Sequence, residues 1–481
     1  MPENLFTRAP LAILPTEAVE RLHVETIRLL ETTGVRVDHD EALELLCAYG
    51  VRCDLDRRRA YPDAGAVNRA LASVRKAYTL HGRDPERPTA LPVDGHHTYA
   101  ICGGAALRMY ADGRYTAVTE DDLVAMTALH ERLEHVDVLI NVVEPPPAGR
   151  SLYTRLAATL FCHASKPLLL QAGGREDLRA IIRMATLIAG GEHALRDRPL
   201  FMTGGNAEPP LRIPREGAEV LIEAARAGIP VSIGDYMMLG STGPAHLLAA
   251  LVQRAATVLT GLVLTQAAAP GSIYDFSCHS GLCDLRNADA ITMSGTVMRL
   301  AATAVQMGRR YGLVTHSLAC TEARAPDAQA AGERAAALIA AFASGATFIH
   351  HSTSCMAGME LADPAQSVLD NALIGQAKAF AAATPEDGLE EALAAVREVA
   401  TDPQYDGLYF LGHAHTAAQG ARGADDAGLF ETGQLARWLN GARTPLYERA
   451  AARARTLTAE PREFVSPELK RELFRLAGEA G

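Results

Sequence analysis

The chain has 481 residues, with 46 Lys plus Arg against 57 Asp plus Glu and a formal charge of −11. Hydrophobic residues make up 48% and charged residues 21%, which is enough apolar material for a large core and far from the composition of a disordered chain. The acidic balance argues against nucleic acid and against an anionic membrane surface as partners, and leaves room for cationic or neutral small molecules.

The opening stretch MPENLFTRAPLAILP has no basic segment followed by an apolar run, so no secretory signal is expected. Thr16 is placed to cap a helix with apolar positions at Val19, Leu22, Ile27, Leu29 and Leu30. Asp40 precedes a second helix through Ala42, Leu43, Leu45 and Leu46, and Asp63 a third through Val67 and Leu71. Residues 1–95 are therefore expected to form an N-terminal helical segment. Short apolar runs follow at Tyr99–Cys102, Val136–Ile140, Pro167–Leu170, Leu200–Thr203, Pro230–Ile233, Ser272–Tyr274, Leu313–Thr315 and Thr347–Ile349. Ala-rich helical stretches separate and follow them, at Asp121–Glu131, Tyr153–His163, Glu176–Ile188, Arg215–Arg226, Ala245–Gln266, Ala288–Tyr311, Gln329–Ala343 and Pro364–Phe380.

Single strands alternating with helices imply parallel pairing, because each parallel connection needs a crossover. Eight such units predict an α/β fold, a (β/α)₈ TIM barrel over residues 96–385, with 386–481 a C-terminal helical extension packed on it. An open doubly wound sheet would carry a glycine fingerprint after its first strand, and neither Gly103-Gly104 nor Gly173-Gly174 makes one. The most apolar stretch, Ala249–Ala269, is broken by Gln253, Arg254 and Gln266 and reads as a buried helix, not a membrane span. Eight cysteines without CxxC or framework spacing point to a reducing cytoplasm. Homo-oligomerisation stays open at this level.

Barrel enzymes draw their chemistry from the carboxyl ends of the strands. Applied here, that rule collects two groups. Glu208, Asp235, Tyr236, Tyr274, Asp275, Phe276 and Glu322 would make a pocket of carboxylates and rings suited to a cation, although some of those carboxylates are expected to cap helices instead. Cys278, His279, Cys283, His316, Cys320, His350, His351 and Cys355 all follow the last three strands, and thiolates with imidazoles are zinc ligands. None of these pairs has a specific metal spacing, so a zinc-dependent barrel enzyme is the alternative and no metal the expectation. A serine nucleophile elbow, GxSxG, and a phosphate loop, GxxxxGK[ST], are both missing from the sequence.

Several ordered stretches resemble the trimethylamine methyltransferase family of corrinoid-dependent methyltransferases. They are LLETTGVRVDHDEALELLCAYG near the start with Arg83-Asp84-Pro85 after it, the long segment from Ile229 to Ser272, TEARAPDAQAAGERA with Asp327, Gln329 and Glu333, and LGHAHT with Trp438 and Gly441. The resemblance implies a TIM barrel that moves a methyl group from a methylated amine to the cobalt of a corrinoid (cobalamin) carried on a separate corrinoid-binding protein. Trimethylamine-specific members carry pyrrolysine. This chain has only standard residues, with Glu322 and Ala323 in that neighbourhood, so it is similar to the non-pyrrolysine branch, which takes glycine betaine and related quaternary amines.

A quaternary ammonium already holds a neutral amine as leaving group, so positioning and electrostatics suffice. On this reading Asp235, Asp275, Glu322 and His350 are the catalytic candidates. Glu208, Tyr236, Tyr274, Phe276, His279 and His316 line the substrate site, and Arg286 holds a substrate carboxylate. Gly204, Gly205, Gly240 and Gly243 leave the mouth wide enough for a planar corrinoid. A barrel that binds an amine without turning it over is the alternative from another class.

Overall fold

The computed structural model describes residues 9–84, 88–111, 113–146, 152–234, 236–277, 279–383, 388–419 and 429–479. At its centre a seven-stranded parallel sheet curls. Its strands run in the spatial order Tyr99–Ala100, Phe348–His350, Thr315–Leu318, Tyr274–Ser277, Val231–Gly234, Phe201–Asn206 and Leu168–Leu170. Val138 and Leu139 lie between its two ends, Val138 bridging Ile101 and Leu139 bridging Leu168, both in the parallel sense.

Helices alternate with these strands at Glu120–Arg132, Leu152–His163, Arg175–Ala189, Arg215–Ala227, Leu247–Ala268, Gly295–Arg310, Ala328–Ser344 and Pro364–Ala381. Their starts follow local rules. Thr119 and Asp122 form a reciprocal capping box, while Ser294, Asp327 and Asp363 each accept from backbone amides of the first turn. Contact between layers is close where glycine permits it. A Cβ on Gly205 would sit 2.7 Å from the Gly217 carbonyl oxygen, so this strand and the helix Arg215–Ala227 meet backbone to backbone.

Two strands begin and end later than their apolar runs predict. They span Tyr274–Ser277 and Thr315–Leu318, so Asp275 and His316 are strand residues and not loop residues. The apolar run stops where the sheet does not, because the inward face near the carboxyl end of this sheet is polar.

The N-terminal helices Thr16–Thr32, Asp40–Ala48 and Ala64–Ser73 stand where periodicity places them. Among its described residues the segment also holds five strands too short to show a period: Val35–Val37, Arg52–Asp54, Arg59–Tyr61, Tyr78–Leu80 and Thr89–Leu91. All three helices pack on Leu247–Ala268. That helix is long and apolar enough to cross a membrane, yet lies mostly buried inside the protein. A helix packed on a sheet with one solvent face would be amphipathic; this one is covered on its outer side too, and is apolar around nearly all of its circumference.

Residues 75–83 then cross the amino-terminal ends of the sheet strands: Arg75 bridges Ile273, His81 N–H donates to the Pro199 carbonyl, and Gly82 abuts Ser165 and Pro167. This crossing lays a floor under the curled sheet. At the other end of the chain, Leu446–Thr458 packs on Pro364–Ala381 and Glu120–Arg132, and Pro467–Glu479 on Leu152–His163 and Arg175–Ala189.

Candidate active site

The parallel strands alternate strictly, and the alternation decides what enters the interior. On Tyr274–Ser277, Tyr274 points outward and donates from its hydroxyl to the Val258 carbonyl at 2.6 Å, and Phe276 stacks outward on Tyr311 at 5.7 Å. Asp275 and Ser277 therefore face inward. The expectation that Tyr274 and Phe276 wall the substrate is corrected by this geometry: residues on either side of an inward Asp275 belong to the helix layer. Gly205 likewise faces its helix, whereas Gly204 lies on the inward face with Ser232 3.6 Å from its Cβ position.

The interior has two unlike halves. Toward the carboxyl ends of Phe201–Asn206 and Val231–Gly234 the inward residues are Gly204, Asn206, Ser232 and Gly234. Asn206 is exposed and the other three partly exposed, while the remaining residues of both strands are buried, so the interior is open to solvent beside them. Opposite stands a polar wall. Tyr78, rising from the floor, donates to Asp275 Oδ2 at 2.6 Å, and the same oxygen lies 3.2 Å from His316 Nε2. His316 Nδ1 lies 2.7 Å from His350 Nε2. The His350 ring meets His279 edge-on at 4.3 Å between centroids, with His351 6.0 Å from His350.

Asp275 and His316 are almost wholly buried. Burial, then the neighbouring imidazoles, drives the His279 and His350 pKa values well below the ordinary range, so both rings are neutral at pH 7. The Tyr78 hydroxyl is pushed well up by burial and by Asp275, and stays a donor.

These bonds constrain the tautomers. With the Asp275 carboxylate accepting, His316 carries a proton on Nε2; in the arrangement with one proton on each ring, His316 accepts at Nδ1 and His350 donates from Nε2, which keeps the His350 lone pair on Nδ1. Among the described residues, buried polar atoms without a hydrogen-bond partner include four in the same region: Asp275 Oδ1, His279 Nε2, Tyr236 Oη and His351 Nδ1. An unmet buried polar atom costs about 1–3 kcal/mol, so such a gathering is what a site for a polar ligand requires.

Above the sheet, residues 236–239 and 279–283 follow two of the parallel strands and form a small three-stranded rim with Ala290–Ile291. The Tyr236 hydroxyl is raised in pKa by burial and by nearby Cys320 and Glu322, which places it among the mouth residues. Glu322 is engaged structurally. Its Oε1 accepts from the Thr292 backbone and hydroxyl and from Met293 N at 3.0 Å, tying the loop after Thr315–Leu318 to the rim. Gly240, at φ +91°, and Gly243, pressed on Met237, form the turn at the outer tip of the rim, away from the histidines.

Two expected site residues lie at the surface. Glu208 pairs with Arg212 and has a side chain 53% exposed. Arg286 closes on Asp284 at 2.7 Å with 88% of its side chain exposed; a guanidinium so paired and solvated holds no ligand in the mouth. Asp235 and Cys278 lie outside the described residues.

The loop after Phe348–His350 carries backbone strain that only its surroundings hold. His351, Ser354, Ala357 and Met359 all have positive φ, at +54°, +62°, +48° and +79°, conformations that cost non-glycine residues of order 1 kcal/mol or more each and cluster at functional sites. A fully buried ion pair clamps this loop. Arg334 lies 3.2 Å from Asp370 and donates to the carbonyls of His351 and Cys355, while Asp370 accepts from Ser354 N at 2.8 Å. Neither residue stands at a strand end, so the strand-end rule passed over both; a charged residue within an Ala-rich helix was the available signal.

Cys320 and Cys355 share a hydrogen bond between their sulfurs, which pushes the Cys320 pKa up and that of Cys355 down. Among the described residues, no group of three or more His, Cys, Asp or Glu is arranged to hold a metal ion, which leaves the zinc alternative without a ligand set there.

The chain matches the family model described as trimethylamine methyltransferase (MTTB) over residues 2–474. The trimethylamine methyltransferase MttB of Desulfitobacterium hafniense is 27% identical over 307 residues, 63% of this chain and 62% of that protein; the matched stretch thus spans less than two thirds of that relative. A glycine betaine methyltransferase of the same species is 25% identical over 368 residues, 76% of each chain. The solved Methanosarcina barkeri monomethylamine methyltransferase covers 95% of both chains at 12% identity and a TM-score of 0.47. The whole-length family match settles the point: this chain belongs to the trimethylamine methyltransferase family.

Proposed function

We propose that this protein is a methyltransferase that moves a methyl group from a quaternary or tertiary methylamine, betaines included, to the cobalt of a corrinoid carried on a partner protein. The observation that carries this reading is the carboxylate–imidazole wall facing a wall of small residues inside the sheet, in a chain of this family. We also read the sheet as a complete eight-stranded barrel, with the stretch around Val138–Leu139 as its eighth member because it bridges both ends. The seven described cysteines all carry free thiols, which suits a reducing compartment.

A reduced corrinoid supplies a nucleophilic metal centre at which the methyl group is accepted. The residues of this chain do the rest. Asp275 provides negative charge beside the interior, and the neutral rings of His279 and His350 add lone pairs without a competing positive charge. Imidazolium rings here would repel an ammonium substrate; burial keeps them neutral. Full pairing of the ammonium with a carboxylate would hold the ground state too tightly, since positive charge leaves the substrate as the methyl departs. Routing Asp275 through His316 places its charge one ring away from His350 and moderates that pull. Gly204, Ser232 and Gly234 leave the opposite side free for a bulky acceptor.

Purified protein mixed with a reduced corrinoid acceptor and a panel of betaines and methylamines should form methyl-cobalt, read by its absorbance. Tight binding of an amine without turnover, in the presence of a competent corrinoid protein, would instead establish the non-catalytic alternative.

A further inference from the structure

Cys320 and Cys355 take no part in the methyl transfer proposed above, yet strand order brings them together. Cys320 follows Thr315–Leu318, and Cys355 follows the neighbouring strand Phe348–His350. Their loops run side by side: Ala319 N–H donates to the His350 carbonyl at 2.9 Å, and Ala357 N–H to the Ala323 carbonyl at 3.0 Å. Both cysteines are buried and free, and their sulfurs share a hydrogen bond. Arg334 donates to the Cys355 carbonyl at 3.0 Å, and the His351 side chain reaches the Cys355 sulfur. His351 is only partly buried and Tyr236 of the mouth lies close to both thiols, so a small solute has one side chain to pass. Burial raises a thiol pKa; it pushes Cys53 and Cys102 up to about 12 and Cys162 up to about 11. At Cys355 burial acts in the same direction, but the Cys320 hydrogen bond and the nearby His351 and Arg334 outweigh it and hold this thiol well below its ordinary range. A thiolate beside a protonated thiol is the pair that reduces a peroxide and closes to a disulfide.

We propose that Cys320 and Cys355 form a peroxide-sensitive dithiol site, whose closure to a disulfide displaces the histidine-bearing loop and shuts off methyl transfer. Only the effect on methyl transfer rests on the function proposed above. The Cys355 thiolate attacks one peroxide oxygen; the O–O bond breaks, a sulfenic acid forms and hydroxide leaves. The Cys320 sulfur then attacks the Cys355 sulfur, the S–O bond breaks, and the Cys320 proton leaves with the departing hydroxyl as water. Two electrons pass from the sulfurs to the peroxide, which ends as two waters once the released hydroxide takes up the proton that Cys355 gave to solvent. Closure draws the sulfurs from hydrogen-bond distance to about 2 Å. Thr321 and Glu322 are both held by Glu333, and Glu322 also by Thr292, so the movement falls on the loop of Cys355. That loop begins at His351, next to His350 of the polar wall, and misplacement by about 1 Å can cost on the order of 10²-fold in rate.

Full-length protein treated without air with one equivalent of hydrogen peroxide should yield a linked Cys320–Cys355 peptide by mass spectrometry, ahead of any link between the hydrogen-bonded Cys47 and Cys53. Nitrogen NMR of the imidazoles should show the His350 and His351 signals shift and then return with a thiol reductant. Methyl transfer to a reduced corrinoid should fall at least tenfold after peroxide is removed and recover with the reductant. Cys320→Ala should form no such link and should keep most of its activity through the same treatment; the wild-type peptide and NMR decide the matter if that variant misfolds. Oxidation of other thiols without a Cys320–Cys355 link overturns the proposal. So does a link that leaves the imidazole signals and methyl transfer unmoved, or a reversible loss of activity in Cys320→Ala equal to that of wild type. Protein that transfers no methyl group even when reduced counts against the proposed function alone, and the peptide and NMR still decide the thiol pair.

Discussion

Replacing Asp275 by Asn tests the histidine chain most directly. Asp275 Oδ2 serves two donors, Tyr78 at 2.6 Å and His316 at 3.2 Å. Hydrogen bonds to a charged group contribute about 1.5–3 kcal/mol each and neutral ones about 1, so exchanging both for neutral bonds should destabilise the fold by about 1–4 kcal/mol. The functional effect should run further along the chain. The amide can turn its NH₂ toward His316, which reverses the proton on that ring; His316 then donates from Nδ1, His350 accepts at Nε2, and His350 presents an N–H where it held a lone pair. Replacing an acceptor by a donor beside an ammonium, with the nearby charge gone, should weaken transition-state binding by a similar 2–3 kcal/mol, or on the order of 10²-fold in kcat/KM. Urea unfolding reads the first effect, methyl transfer to a reduced corrinoid the second, and nitrogen NMR of the imidazoles the tautomers. If Asp275→Asn leaves kcat/KM within about threefold of wild type and the tautomers unmoved, the relay reasoning is wrong.

Stability should fall in mild acid. His130, His279 and His350 all titrate below the ordinary histidine value, each chiefly through burial, His130 at about 4. The unfolded chain then binds more protons below pH 6.5, so the stability present above that pH is lost as pH falls toward the folded values. His130 alone should account for about 2 kcal/mol by pH 5, and His130→Gln should flatten the melting-temperature profile over that window. Asp370→Asn should cost about 3–5 kcal/mol, because it strands the buried Arg334 charge; replacing both residues by apolar ones should restore most of the stability but not the activity, since the strained loop loses its clamp. Gly204→Val should leave the melting temperature nearly unchanged, its Cβ meeting only Ser232 at ordinary contact distance, while filling the open side of the mouth and raising KM at least tenfold. Tyr274→Phe should cost about 1 kcal/mol for the lost bond to Val258 and leave kcat/KM unaltered; a large kinetic effect would mean that this ring faces the substrate after all.

The helices were the most legible part of the molecule. The Ala-rich stretches announce their period, because a helix is specified largely by neighbours three and four residues away, but not always their starts: the stretch expected from Ala288 begins at Gly295, capped by Ser294. The alternation with single strands fixed the parallel α/β class, since the crossovers are long enough to be seen. Strand ends were less legible. An apolar run marks only the part of a strand buried on both faces, and Asp275 and His316 extend their strands into a polar interior.

Period two was itself available in the sequence: once Asp275 is placed inside, Tyr274 and Phe276 must lie outside. What no local pattern supplies is which face is inside, for that depends on helices packed far along the chain. Tyr78 shows the same limit. It lies 197 residues from Asp275 and reaches it only because residues 75–83 cross the floor of the sheet. Sequence alone determined the layers, the family and the third of the sheet where the histidines lie. Tertiary structure decided that Asp275, His316 and His350 form one hydrogen-bonded chain while Glu208 and Arg286 pair off at the surface, because a charge's role depends on which partner reaches it and how much water remains around it.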